Sequence, residues 1–314
     1  MLPRHSRPRT LRPLLSLTFA LSLAVLWLAW PRATETAHAQ AAPAQYRNFE
    51  GPQVHPLAMT PDGTRLLAVN TPNATLSVFQ LVSGTPVLTA QIPVGMEPVS
   101  VAVRANGREA WVANWMSDSV SIVDLAAGNV TRTLDVGDEP TDILFAGSTR
   151  EMAFVCVSGG GQQATNSGSF TGGIGVVKVF DPTNPSATPQ TINIFGKQPR
   201  ALARDATGAR VFVSVFESGS KTTVVSQSDV VAGGGLPPVN PAPGLPPPPT
   251  TSLIVVWNGT QWIDESLRSW NSVIPYTLAD VDLAVIDASG TALPTAVSAQ
   301  VHDIGTNIGN MAFD

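Results

Sequence analysis

Apolar and polar residues alternate along most of this chain with a period of two. VSVAV from Val99, AWVAN from Ala110 and VSIVD from Val120 are short runs of this kind, each closed by a turn signal. Such runs predict half-buried strands rather than helices. The pattern then recurs as a block. PVSVAVRANGREAWVANWMSDSVSIVDLAAGNVTRTLDVGDE from Pro98 matches HPLAMTPDGTRLLAVNTPNATLSVFQLVSGTPVLTAQIPVGME from His55, and Gly63 and Gly107, Asn70 and Asn114, and Gly84 and Gly128 all stand 44 residues apart. Each block reads as strand, Asp-Gly or Asn-Gly turn, strand, polar connection, strand, Ser/Ala-Gly turn, strand, then Val-Gly-x-x.

Repeat units start near residues 54, 98, 140 and 199. Two insertions interrupt the later units, over about residues 158–175 and 220–278. The second contains GGGLPPVNPAPGLPPPPT, a Gly/Pro linker that is expected to be extended. The junction glycines Gly95, Gly137, Gly196 and Gly305 lie 42, 59 and 109 residues apart, which sizes the two insertions. Four-stranded units of this length predict an all-β fold, a β-propeller of four-stranded antiparallel blades with about four complete blades. Ile308 to Asp314 align with the first strand of a fifth unit. This predicts the N-terminal piece of a longer chain; the rivals are several chains closing one ring, or a last strand that completes the first blade.

TPDGTRLLAVN and ANGREAWVANWMSDSVSIVDL, with their V-G-x-x-P junctions, resemble the YVTN-type β-propeller repeat over residues 54–314. The tyrosine of that motif is absent: the positions read Leu67-Ala68-Val69-Asn70 and Trp111-Val112-Ala113-Asn114. The resemblance implies about seven blades. It also implies two rival functions: lactonases that resemble this repeat act on sugar lactones at a propeller face, and exported propellers of the type can be joined to haem domains in redox proteins.

The first 39 residues differ in kind. Arg4, Arg7, Arg9 and Arg12 precede an apolar run from Leu14 to Trp30, and Ala37-His38-Ala39 is a small-x-small cleavage pattern. This predicts a secretory signal peptide over 1–39 and an exported protein, periplasmic, cell-surface or secreted. The rival is an uncleaved membrane anchor, the one route to a membrane partner. Without the leader the chain carries 13 Lys and Arg against 22 Asp and Glu. That balance excludes nucleic acid as a partner, since little would neutralise phosphates. The single cysteine, Cys156, rules out an internal disulfide. It sits in the apolar run MAFVCV and reads as a small buried hydrophobe.

Candidate chemistry is sparse, so no catalytic, cofactor or metal residue is assigned. No Gly-x-Ser-x-Gly, phosphate loop or Cys-x-x-Cys-His occurs, and the Gly159–Gly161 run lacks the helix of a phosphate cradle. His55 and His302 with Asp303 are a conceivable metal set. Asp280, Asp282 and Asp287 are a conceivable calcium cluster, although Asp287 aligns with Asp124 and Asp181 as a blade residue. Asn73, Asn129 and Asn258 head glycosylation sequons. The most distinctive stretch is SLIVVWNGTQWIDESLRSW in the second insertion. Its Asn258-Gly259 predicts a two-residue hairpin turn, with Trp257 opposite Thr260 and Val255 opposite Trp262. Trp257, Trp262 and Trp270 would then form an aromatic face, either packed on the propeller rim or open to a protein or carbohydrate partner. The leading expectation is an exported, non-catalytic scaffold for protein or cell-surface interaction, with no cofactor.

Overall fold

The alternation emerges as strands, and the Gly turns as their corners. A computed structural model describes residues 53–158, 174–237, 243–244, 246, 249–274 and 280–313. All of them belong to one compact unit, Tyr46–Asp314; a separate unit spans Met1–Gln45. The leader expected at 1–39, the Gly159–Gly161 run and nearly all of the first insertion lie outside the described residues.

Blade one comprises β1 (Leu57–Met59), β2 (Arg65–Asn70), β3 (Thr75–Val82) and β4 (Thr85–Pro93). Blade two comprises β5 (Pro98–Val103), β6 (Glu109–Asn114), β7 (Ser119–Asp124) and β8 (Asn129–Asp135). Blade three comprises β9 (Pro140–Ala146), β10 (Met152–Val157), β11 (Ile174–Phe180) and β12 (Gln190–Phe195). Each is a four-stranded antiparallel sheet in chain order. Blade four starts with β13 (Lys197–Arg204) and β14 (Arg210–Glu217). The insert follows as β15 (Thr222–Val225), α1 (Gln227–Ala232), β16 (Leu253–Trp257) and β17 (Trp262–Ile263), and forms its own three-stranded sheet. Blade four then resumes with β18 (Leu283–Asp287) and β19 (Ala299–Val301), and β18 pairs directly with β14. The insert is therefore a detour between two neighbouring strands.

Recurring side chains hold the corners. Between the first and second strands, the carboxylate of Asp62 accepts the Thr64 N–H, Asn106 Oδ1 accepts those of Arg108 and Glu109, and Asp205 accepts that of Ala209. After the third strand, Asp124, Asp181 and Asp287 cap their turns by accepting the N–H groups of Ala126, Thr183 and Ser289. These short polar side chains mimic a backbone turn, which explains their recurrence. At each junction a residue at the entry to the next inner strand is left-handed: Glu97 at φ 52° and Glu139 at 53° just before β5 and β9, Gln198 at 53° as the second residue of β13, and Asn307 at 62°. The junction conformation thus recurs at Asn307, although no strand is assigned among the described residues that follow.

The core lies between blades. Leu67, Leu76 and Val78 of blade one pack against Val101, Val112 and Val123 of blade two. Trp111 and Ile122, on blade two's other face, meet Ile143, Phe145 and Val155 of blade three, and Trp111 stands edge-on to Phe145 with ring centroids 5.5 Å apart. Phe154, Val177 and Ile192, on blade three's other face, meet Leu202, Val213 and Ile286 of blade four. Each sheet buries both faces only where it has neighbours on both sides, as in a stacked repeat.

Candidate functional site

Asp142 lies in β9 amid the apolar sequence PTDILFA, with no exposed surface. A buried carboxylate is costly unless it is paired and hydrogen-bonded. Here four donors reach it. Ser100 Oγ donates to Oδ1 at 2.6 Å and the Ile143 N–H donates to the same oxygen. The Leu202 N–H donates to Oδ2 at 2.7 Å, and His55 Nδ1 stands 2.9 Å from Oδ2. The donors come from the inner end of each blade, so Asp142 ties all four together. The backbone supports this arrangement, since Val54 N–H donates to Val99 O and Val101 N–H to His55 O.

His55 is about one-third exposed. The Asp142 hydrogen bond is the largest influence on it and raises its pKa; burial opposes this, and contacts with the Met311 backbone and the Asn310 side chain add to the rise. Asn310 Nδ2 also donates to Val54 O at 2.9 Å. Residues 308–313 are thus fastened to the start of blade one by hydrogen bonds from outside its sheet, and they do not complete that sheet, whose four strands are β1 to β4. They also touch blade four, where Phe313 stacks on Phe212 at 5.7 Å.

The conceivable metal set does not assemble. His55 is held by Asp142, His302 by the Asp280 carbonyl, and Asp303 by Lys221 Nζ at 2.8 Å. Among the described residues no group of three or more His, Cys, Asp or Glu side chains is placed to hold a metal ion. The mutual repulsion expected of Asp280 and Asp282 is relieved locally. Lys221 lies 3.8 Å from Asp280, while Asp282 accepts the N–H groups of Ile304 and Gly305. Burial would push Asp282 up, but the Ser218 hydroxyl and those two N–H groups hold it below the usual range. Asp287 caps a turn. Cys156 is fully buried, and burial pushes its thiol well up. Asn73, Asn129 and Asn258 are all exposed.

The insert hairpin differs from its expected register. Trp257 pairs directly with Trp262, and Val256 with Ile263. Asn258 explains the shift. Its Oδ1 accepts the N–H groups of Thr260 and Gln261 and the Thr260 hydroxyl. This widens the turn to residues 258–261, closed by Asn258 N–H to Gln261 O at 3.0 Å. The two indoles are therefore direct rather than diagonal neighbours, with centroids 5.5 Å apart. The aromatic face turns inward. Trp262 and Trp270 are about 5% exposed and share a small core with Val225, Val230, Val255 and Ile274, while Trp257 is half-buried at its edge. Asp264, which the sequence reading passed over, anchors this core. It accepts from Trp270 Nε1 at 3.0 Å and Arg268 Nε at 2.7 Å. Its only signal in sequence is a lone Asp directly after an apolar strand.

A family model described as "Lactonase, 7-bladed beta-propeller" matches residues 29–230. The chain belongs to this family. The match takes in the first three blades of this lactonase-family propeller and runs through β14 and β15 into α1. Among solved structures, one from Kuenenia stuttgartiensis hydrazine synthase is similar at TM-score 0.46 and 15% identity, covering 86% of this chain and 92% of that one. A functionally unknown protein from Desulfotomaculum acetoxidans DSM 771 is similar at TM-score 0.40 and 16% identity, covering 54% and 53%. No curated protein matches significantly.

Proposed function

We propose that this lactonase-family chain is an exported, non-catalytic propeller of the YVTN repeat type that holds a protein partner on the outward face of its insert sheet. One observation carries the reading. Val224 pairs with Ile254 across β15 and β16, and both point away from the tryptophan core. They are 58% and 65% exposed, and Val256 beside them is 47% exposed. Contiguous exposed apolar residues on a rigid sheet mark interaction surfaces. A protein partner suits this aliphatic face better than a sugar, because Trp262 and Trp270 have no ring face left for stacking. Asp142 supports the non-catalytic part, since its oxygens are occupied by four donors and Ser100 donates to it rather than to an imidazole.

A photo-crosslinker at position 254 in the producing cell tests this. The expected result is one discrete protein adduct, lost when Val224→Asp is added while the melting temperature is unchanged. Absence of an adduct, or one indifferent to that substitution, removes the reading. Family membership favours a second reading, hydrolysis of a sugar lactone near His55. Turnover on a lactone panel, with or without a divalent cation, that vanishes in His55→Ala would put that reading first.

A further inference from the structure

Asn-Gly occurs twice in this chain, at Asn106-Gly107 and at Asn258-Gly259. Asparagine is a thermolabile residue. A glycine after it has no Cβ to hinder the approach of its own backbone nitrogen to the side-chain amide. The two turns differ in whether that nitrogen is free to react. Between β5 and β6 it is not. The Gly107 N–H donates to Arg104 O at 2.9 Å, and a Cβ on Gly107 would lie 3.6 Å from Pro61 Cδ of blade one. In the insert hairpin nothing among the described residues accepts from the Gly259 N–H, and nothing lies within 4 Å of its Cβ position. Asn258 and Gly259 are both exposed.

The side-chain carbonyls differ as well. Asn106 Oδ1 accepts two N–H groups, at 2.9 and 3.3 Å. Asn258 Oδ1 accepts three donors: the Gln261 N–H at 2.8 Å, the Thr260 N–H at 3.0 Å and the Thr260 hydroxyl at 3.0 Å. Donors already aimed at a carbonyl oxygen draw electron density from its carbon. They also stabilise the negative charge that an attack on that carbon places on the oxygen. The attacking nitrogen belongs to the next residue, so the reaction is intramolecular and needs no encounter. The Asn258 turn thus combines a free nucleophile with a polarised carbonyl, and the Asn106 turn has the nucleophile tied.

We propose that Asn258 is a modification site, at which the folded turn itself promotes conversion of the amide into aspartate and isoaspartate. The Gly259 nitrogen gives its proton to water and bonds to Asn258 Cγ, while the charge collects on Oδ1 under its three donors. The Cγ–Nδ2 bond then breaks, and Nδ2 takes a proton from water and leaves as ammonia. Water opens the resulting succinimide. Attack at Cγ restores the main chain with an aspartate, and attack at the backbone carbonyl leaves isoaspartate. Overall, amide and water become carboxylate and ammonium, so water is the only co-reactant. Aspartate can still cap the turn, as Asp62 does by accepting the Thr64 N–H. Isoaspartate carries the main chain through the side chain and breaks the cap. Either product puts a negative charge at the tip of the hairpin that bears Val256, and the site stands whether or not that face holds a partner.

Peptide mapping by mass spectrometry reads this on the full chain, aged in parallel at neutral pH in the folded state and in urea. In the folded chain Asn258 should convert several-fold faster than Asn106. It should also convert several-fold faster than Asn258 does in urea, where the difference between the two sites should collapse. Thr260→Val removes the hydroxyl donor from an exposed position. It should slow Asn258 several-fold in the folded chain and leave its rate in urea unchanged. Conversion of folded Asn258 no faster than in urea overturns the proposal, because the turn would then shield the amide. So does Asn106 keeping pace with Asn258 in the folded chain, or a folded Thr260→Val rate equal to the wild type's.

Discussion

His55 and Asp142 meet at 2.9 Å although 87 residues separate them in sequence, and that contact joins the first blade to the third. Removing the carboxylate strands the Ser100 hydroxyl and the Leu202 N–H in a buried setting. Asp142→Ala should therefore destabilise by about 3–5 kcal/mol, the range for breaking a buried charged pair. Urea unfolding measures it, and a loss below about 1 kcal/mol would mean that the four donors find other partners.

The same pair makes stability depend on pH above the ordinary histidine value. The folded-state pKa of His55 is raised above its ordinary 6.5. The folded state therefore holds this proton more tightly than the unfolded one. The resulting stabilisation is complete below about pH 6.5 and fades as pH climbs through the raised value. The stability gap between wild type and His55→Gln should be larger near about pH 6 than near about pH 9. A gap independent of pH would show that the hydrogen bond alone matters.

Acid acts through the turn aspartates. Asp62, held by the Thr60 hydroxyl and the Thr64 backbone, and Asp181, held by the Thr183 hydroxyl and backbone, both sit at about 2. Asp205 also sits at about 2: burial pushes it up, but Arg210, Thr207 and the turn N–H groups outweigh that. Depressed carboxylates stabilise above their unfolded value and lose that contribution as pH falls through about 2. Urea midpoints should drop between about pH 4 and about pH 2, and less steeply in Asp181→Asn. An identical slope in that variant would assign the acid sensitivity to other groups.

The insert core gives a local prediction. Trp262→Ala removes a buried indole from a core that has six buried members among the described residues. The cost should be about 3–5 kcal/mol. It should fall on the insert, because β14 and β18 pair without its help. Hydrogen exchange should show Val225 and Val255 losing protection while Val213 keeps it. Loss of protection in all three would mean that insert and blade unfold as one.

These cases mark what the linear pattern conveys. The blades were legible because the signal is local and repeated: Gly63 and Gly107 open equivalent turns, and Asp287 does what Asp124 and Asp181 do. The insert register was not. Asn258-Gly259 reads as a two-residue turn until the Asn258 side chain captures three donors, a choice that depends on the Trp257–Trp262 contact it permits. The Asp142 hub was missed for a different reason. Its donors come from four blades, and only the lone carboxylate in an apolar strand hints at them. Likewise, alternation placed Trp262 correctly on one face but did not say which face the insert would bury.

One glycine tests how tightly the blades are fitted at their rim. Gly147 has φ +125°, and a Cβ there would lie 1.8 Å from the Arg150 carbonyl oxygen. The same turn docks on blade four: Gly147 N–H donates to Gly208 O, and Thr149 Oγ1 to Ser289 O. A shift that relieves the clash must therefore disturb the contact between blades. Gly63, at φ +68°, has nothing within 4 Å of its own Cβ position. Gly63→Ala should cost about 1 kcal/mol from backbone conformation alone. Gly147→Ala should cost about 3 kcal/mol or more, adding a steric clash to the backbone strain. Equal losses in urea would show that the 147–150 turn yields freely and carries little of the contact between blades three and four.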